Sequence, residues 1–243
     1  MIKCTRLCAV IVVMFMLAVC QPLHAGETAT GFTKELSSAV VDADGAVWIA
    51  GKVSAIFRYQ DERLMQFDSF NTAIPDSGVT TVFVDRDNVK WFGTTRGYVL
   101  RYDDKTWQVL PSAPAIRDIK AMCQGPDGTL WIATSTQGVF KFQNDTLEQS
   151  FPSVDGRFRN LEAMDFDGDG NLWVAVRGGV MRFDGKDWTT FGRELFANNA
   201  IWALAWDKHS KTVYCGSITG LYRYESNKWS LFANMQNGMN SDH

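Results

Sequence analysis

The chain has 243 residues, 24 lysines and arginines against 27 aspartates and glutamates, and a formal net charge of −3. A chain of this length can bury a sizeable core as a single domain. The mildly acidic balance gives no case for a nucleic-acid partner, which wants a basic face.

The N-terminus reads as a secretory signal peptide. Met1 to Arg6 carries Lys3 and Arg6, Ala9 to Val19 is apolar, and Leu23-His24-Ala25 places a small residue before a cut after Ala25. The apolar run is too short for a transmembrane anchor. A lipoprotein signal would use Leu17-Ala18-Val19-Cys20, but Val19 is bulky where a small residue is wanted. No second hydrophobic span follows, so the expected product is periplasmic or secreted, without a membrane span. Removing residues 1–25 from 243 leaves 218, and takes two basic residues with it, so 22 basic against 27 acidic gives −5. Three of the five cysteines leave with this segment. Cys123 and Cys215 remain, in different copies of the repeat described next, and read as buried small hydrophobes rather than a disulfide.

From residue 35 the chain repeats itself. The anchors are Trp48, Trp91, Trp131, Trp173 and Tyr214, spaced by 43, 40, 42 and 41 residues. Each is followed by a basic–aromatic pair: Arg58-Tyr59, Arg101-Tyr102, Lys141-Phe142, Arg182-Phe183 and Arg223-Tyr224. Five residues on comes Leu64, Trp107, Leu147, Trp188 or Trp229. Three further comes Phe67, Leu110, Phe191 or Phe232, with copy three slipping by one to Phe151. Asp44-Gly45, Asp87-Asn88, Asp127-Gly128 and Asp169-Gly170 precede the first four anchors; copy five has the longer Lys208-His209-Ser210-Lys211 instead.

A period near 40 residues points to propellers, solenoids or arrays. Each copy reads as four short strands, 38–41, 47–50, 56–59 and 64–67 in the first, rich in β-branched and aromatic residues and separated by turn residues. No copy carries apolar residues at helical spacing. The expected fold is all-β: one propeller domain over 26–243, of five four-stranded blades near 35–70, 78–112, 117–153, 160–193 and 200–235. The segments between them, carrying Pro75, Pro111, Pro114 and Pro152, read as loops. After Phe232 the sequence resembles a connector, so either five blades close a ring or a sixth begins there.

Asp-Gly-x-Leu-Trp-Val/Ile-Ala, then Gly-Val-x-Arg/Lys-Phe, then Trp, resembles the two-component regulator propeller repeat, best over 127–142 and 169–183. That resemblance implies a sensor-type, ligand-binding module outside the cytoplasm. In that family such repeats form the periplasmic sensor part of hybrid histidine kinases, of which this chain could be a truncated part. The sequence is more distantly similar to streptogramin lyases, which are also propellers.

The candidate sites divide by register. Asp165-Phe166-Asp167-Gly168-Asp169-Gly170 starts like a calcium loop, but position twelve is Val176, so it reads as a hairpin turn. The tryptophan anchors read as packing between blades, and the repeated basic residues as the polar face of a strand. Only His209 and His243 survive signal removal, and no zinc-ligand cluster, Gly-x-Ser-x-Gly or phosphate loop is present. The expected role is therefore non-enzymatic binding without a cofactor or metal; a lyase or hydrolase would need acids from separate loops to meet in space. The loops joining blades, and those joining second to third strands, bring Lys52, Arg96, Arg117, Arg157, Arg159, Arg177 and Arg193 to one face. Arginines there suit a polar or anionic ligand, such as a glycan or a peptide carboxylate, or a protein partner.

Overall fold

A computed structural model describes residues 36–51, 54–72, 74–110, 116–144, 146–153, 158, 160–196 and 200–234. The signal-peptide expectation, Lys52, Arg157 and Arg159 lie outside these residues.

The described chain is all-β, a propeller fold of five four-stranded antiparallel blades, with one short 3-10 helix at Arg193–Phe196. Blade 1 is β1 Leu36–Val41, β2 Val47–Gly51, β3 Ala55–Gln60 and β4 Arg63–Asp68. Blade 2 is β5 Val79–Val84, β6 Lys90–Thr94, β7 Val99–Tyr102 and β8 Trp107–Leu110. Blade 3 is β9 Ile119–Gln124, β10 Leu130–Thr134, β11 Gly138–Gln143 and β12 Thr146–Pro152. Blade 4 is β13 Ala163–Phe166, β14 Leu172–Val176, β15 Gly179–Phe183 and β16 Trp188–Gly192. Blade 5 is β17 Ile201–Asp207, β18 Thr212–Ser217, β19 Gly220–Glu225 and β20 Lys228–Ala233. Strands run in chain order across every sheet. Blades 1 and 2 form one compact unit, and blades 3 to 5 another.

The turn between the first and second strands is held by an aspartate that precedes the visible Asp-Gly signal. In blade 4, Asp167 Oδ1 accepts the N–H groups of Asp169 (3.0 Å) and Asn171 (2.9 Å), and its Oδ2 accepts Trp173 Nε1–H at 2.8 Å. Asp42 does the same for Asp44, Ala46 and Trp48, and Asp85 for Asp87, Val89 and Trp91, with indole distances of 2.8 and 2.7 Å. One carboxylate thus fixes the turn and the rotamer of the anchor six residues on. The turn needs a left-handed residue, which Gly45, Gly128, Gly170 and Asn88 supply with φ between +63° and +89°. Two copies vary the device. Copy three has Gly125 where the carboxylate would stand; a Cβ there would lie 2.9 Å from Trp131 Nε1, and Asp127 caps Thr129 instead. Copy five keeps the aspartate as Asp207, which caps the longer turn through His209 and Ser210.

Packing follows one rule at the junctions within each unit. The anchor and the last aromatic of one blade pair with each other, and meet the third- and fourth-strand aromatics of the next. Trp48 and Phe67 face Tyr102 and Trp107; Trp131 and Phe151 pack against Phe166, Phe183 and Trp188; Trp173 and Phe191 face Tyr224 and Trp229. Burying an indole of this size contributes on the order of 5 kcal/mol of transfer free energy. The repeated cation lies over the ring: Arg58 over Trp48, Lys141 over Trp131 and Arg182 over Trp173, with Lys141 at 4.3 Å. These basic residues therefore stack on the anchors as well as pairing along the strand, as Arg101 does with Asp103 at 3.2 Å. Hydrogen bonds from Thr106 and Lys105 hold the Asp103 carboxyl at about 2.

The slip of copy three to Phe151 is a β-bulge: Phe140 pairs with Gln149 and Val139 with Phe151. Cys123 and Cys215 are buried free thiols, as the sequence implies. One buried charge was not foreseen. Lys90 is 0% exposed, where the other copies carry Val47, Leu130, Leu172 and Val213. It pairs with Asp104 at 2.6 Å and Asp42 at 3.5 Å, and lies 5.7 Å from the centre of the Trp48 ring.

Two substitutions separate these interactions. Asp167→Ala strands an indole N–H and two turn N–H groups and is expected to cost about 3 kcal/mol, with Asp167→Asn recovering part of it. Lys90→Leu is expected to stay within about 1 kcal/mol of wild type, because Asp42 keeps three N–H donors and the leucine matches copies three and four. Urea unfolding with an unchanged m-value measures both; a larger loss in Lys90→Leu than in Asp167→Ala would reverse the ranking.

Candidate functional site

The first strand of blades 1, 2, 3 and 5 carries a bulge at one end. Ser37, Thr80, Lys120 and Trp202 are bulge residues: in each case the flanking residues pair with consecutive residues of the second strand. Glu162 takes the same place in blade 4. Its N–H bonds to the carbonyl of Ala175, which also opposes Ala163. A bulge turns a side chain out of the alternation and re-aims it. In the unit of blades 3 to 5, the strands β9, β13 and β17 are neighbours. Three adjacent blades therefore present, at one register, an ammonium, a carboxyl and an indole.

Their surroundings differ from those of ordinary surface residues. Lys120 pairs with Asp118 at 3.2 Å, both partly exposed. Burial raises the Glu162 carboxyl above its ordinary 4.5, Lys120 pulls it down, and the Asp118 charge pushes it up again. Trp202 is 56% exposed, unlike the buried tryptophan anchors. Between them, the three neighbouring strands offer a broad apolar ring face, a cation and a carboxyl able to donate or accept a hydrogen bond. That is the composition of a site for a polar organic ligand.

Two of the loop arginines join the same end of this unit. Arg117 is exposed immediately before β9, with its N–H bonded to Gln137 Oε1 at 2.7 Å. Arg177 is exposed in the turn between β14 and β15. Antiparallel order places both at the end where β9, β13 and β17 begin. Arg193 opens the 3-10 helix. Arg96 is exposed in the β6–β7 turn of the other unit. Lys52, Arg157 and Arg159 belong to the residues not described.

Lys120, Glu162 and Trp202 were not singled out from the sequence. The signal is present once the copies are aligned: eleven residues before each of the first four anchors, and twelve before Tyr214 because of the longer turn, the column reads Ser, Thr, Lys, Glu, Trp. Its meaning depends on the bulge, which a sequence does not display. Two of the three carboxylates of the Asp165–Gly170 segment are engaged elsewhere: Asp165 accepts the Trp206 N–H at 3.0 Å and Asp167 holds the Trp173 turn. Among the described residues, no group of three or more histidine, cysteine, aspartate or glutamate side chains is arranged to hold a metal.

Comparison with known proteins supports the fold. A profile described as "Two component regulator propeller" matches residues 115–136. The structure is similar to a streptogramin B lyase (TM-score 0.69, 15% identity, covering 83% of this chain and 69% of that one). It is also similar to a catalytically inactive virginiamycin B lyase from Staphylococcus aureus with quinupristin (TM-score 0.70, 15% identity, 85% and 72%). A third match is the extracellular domain of a chain named as a hybrid two component system from B. thetaiotaomicron (TM-score 0.68, 17% identity, 85% of this chain but 28% of that one). No curated protein matches the sequence.

The Glu162 carboxyl gives a pH test. The folded state holds this proton more tightly than the unfolded chain, so its stabilising contribution is present at low pH and is lost as pH rises through the folded value. Glu162→Gln removes the titration. The variant is expected to gain stability relative to wild type between about pH 4 and about pH 7. Urea midpoints at the two pH values read this difference directly; a difference that does not change with pH would show that Glu162 titrates as a free carboxyl.

Proposed function

We propose that the chain is an exported, non-enzymatic β-propeller that acts as a sensor-type binding module, with residues 1–25 as its signal peptide and 26–243 as its propeller domain. The observation that carries this reading is the Lys120–Glu162–Trp202 register, three chemically different side chains at one repeat position on successive blades, a bulge in blades 3 and 5 and the residue just before β13 in blade 4. The likeness to an extracellular two component system domain supports a location in the periplasm or outside the cell. Among the described residues, no helix is long and apolar enough to cross a membrane.

The ligand is a polar organic molecule, or a segment of a protein, that places a ring or apolar face on Trp202 and polar groups against Lys120 and Glu162. Arg117 and Arg177, exposed at the same end of this unit, extend the site to an anionic group on the ligand.

A second reading rests on one observation. A carboxyl raised by burial beside a lysine is also an acid–base pair. Lyase or hydrolase chemistry would make Glu162 the proton-transfer group. Glu162→Gln separates the two, since it abolishes turnover in an enzyme while leaving a measurable affinity in a binding module.

The experiment is thermal unfolding of the purified chain against panels of oligosaccharides, peptides and divalent cations. A true ligand at about 100 times its Kd is expected to raise Tm by roughly 5 °C or more. Trp202→Ala and the pair Arg117→Ala with Arg177→Ala are expected to reduce that rise while leaving the unliganded Tm nearly unchanged, because all three side chains are exposed. A rise that survives both would place the ligand elsewhere.

A further inference from the structure

The strand ends that carry Lys120, Glu162 and Trp202 hold a second repeat position. Four residues after each anchor, in the turn between the second and third strands, blades 3, 4 and 5 place Ser135, Arg177 and Ile218. Trp202 and Ile218 are neighbours across one ladder, since Ile201 pairs with Ser217. The two positions change character together. On blades 3 and 4 they are polar or charged; on blade 5 both are large and apolar. All six residues lie in the unit of blades 3 to 5.

The apolar side is open. Ile218 is 62% exposed and Trp202 56%. Leu195, 47% exposed, joins them from the 3-10 helix. Phe196 docks that helix on the rings of Tyr222 and Trp229, and the Tyr222 hydroxyl lies 3.4 Å from Thr219 Oγ1, next to Ile218 in the chain. Three large apolar side chains grouped at one strand end are more than the scattered exposure of an ordinary surface.

The charged side has donors to spare. Lys120 is paired with Asp118, but among the described residues neither Arg117 nor Arg177 enters an ion pair. In the same unit Arg223 pairs with Glu225 and Arg182 stacks on Trp173. A free guanidinium is a planar, two-point donor for a carboxylate. Asp118, Glu162 and Glu194 at this end oppose negative charge, so the cations suit one anionic group rather than a polyanion.

We propose that the ligand of this site is a small amphiphilic carboxylic acid, its carboxylate held by Arg117 and Arg177 and its apolar body laid on Trp202, Ile218 and Leu195. The inference rests on the binding-module reading and narrows it to one ligand class. Three apolar side chains at one junction match a single ring or a short acyl chain, not an extended polymer segment.

The test is calorimetric titration of the purified chain with phenylbutyrate, phenylbutanol and phenylbutylamine, which share a body and differ in head group, and with acetate as the head alone. Phenylbutyrate is expected to bind about tenfold more tightly than the other three. Arg117→Ala combined with Arg177→Ala is expected to remove that advantage and leave phenylbutanol binding unchanged. Ile218→Ser is expected to weaken acid and alcohol alike. Glu162→Gln is expected to tighten the acid, because it removes an opposing charge, whereas it would weaken an amine. The arginines, Trp202 and Ile218 are exposed, so urea midpoints measured alongside are expected to stay at the wild-type value.

Phenylbutanol or phenylbutylamine binding as tightly as the acid, with binding lost in Trp202→Ala, leaves the site standing and overturns the acid. Acetyl-Ala-Leu-Phe binding more tightly than phenylbutyrate, while its C-terminal amide does not bind, replaces the small ligand with a protein C-terminus and also overturns the proposal. So does the absence of phenylbutyrate binding, or binding that Trp202→Ala and Ile218→Ser leave untouched; the binding-module reading is then decided separately by the thermal-unfolding panel.

Discussion

The hydrogen bond from an anchor indole to the aspartate six residues before it is the interaction on which the blades depend. An indole N–H buried without a partner is costly, and so is a carboxylate without donors. Joined at 2.7–2.8 Å in blades 1, 2 and 4, the two groups remove each other's cost and close the first hairpin. The rotamer of the tryptophan is then fixed from within its own blade. Its ring can serve as a preformed wall, which is why the same aromatic contacts recur at each junction within the units. The repeat is conserved along the chain as a mechanical part: a carboxylate for the turn, a ring for the wall and a cation over the ring.

Departures from the repeat are informative for the same reason. Lys90 replaces an apolar residue at the first junction and is neutralised by two aspartates and a tryptophan face. Copy three loses the aspartate and keeps the tryptophan by moving its capping group two residues along. Copy five lengthens the turn and exchanges tryptophan for Tyr214. Each change is matched by a neighbouring one, as packing of this density requires. The bulge column is different. In blades 1 and 2 the column is structural, with Ser37 and Thr80 hydrogen-bonded to backbone carbonyls, whereas in blades 3 to 5 it carries Lys120, Glu162 and Trp202.

How much of this was legible differs between fold and site. Period, strand order and the burial of the tryptophans followed from the alternation of residues and the turn signals, because those depend on neighbours within a few positions. The role of Asp42, Asp85 and Asp167 was masked by the more familiar Asp-Gly pair that follows them. Counting strands puts Arg117 and Arg177 at one end of the blades of their unit, because each lies where a first strand begins or a second strand ends. What counting could not find was Glu162 beside Lys120 and Asp118, which are about forty residues apart in sequence and meet only through the pairing of blades.

The sequence by itself determined the unit: a four-stranded sheet, its turns, the positions of its rings and its repetition five times. These are local matters of period, φ and residue type. Tertiary structure decided which faces of those units are covered and which are left open. It also decided that one repeat position puts Lys120, Glu162 and Trp202 on neighbouring first strands. Both depend on the placement of one sheet against another and on single-residue bulges, and a shift of one residue in a strand reverses the direction of every side chain that follows.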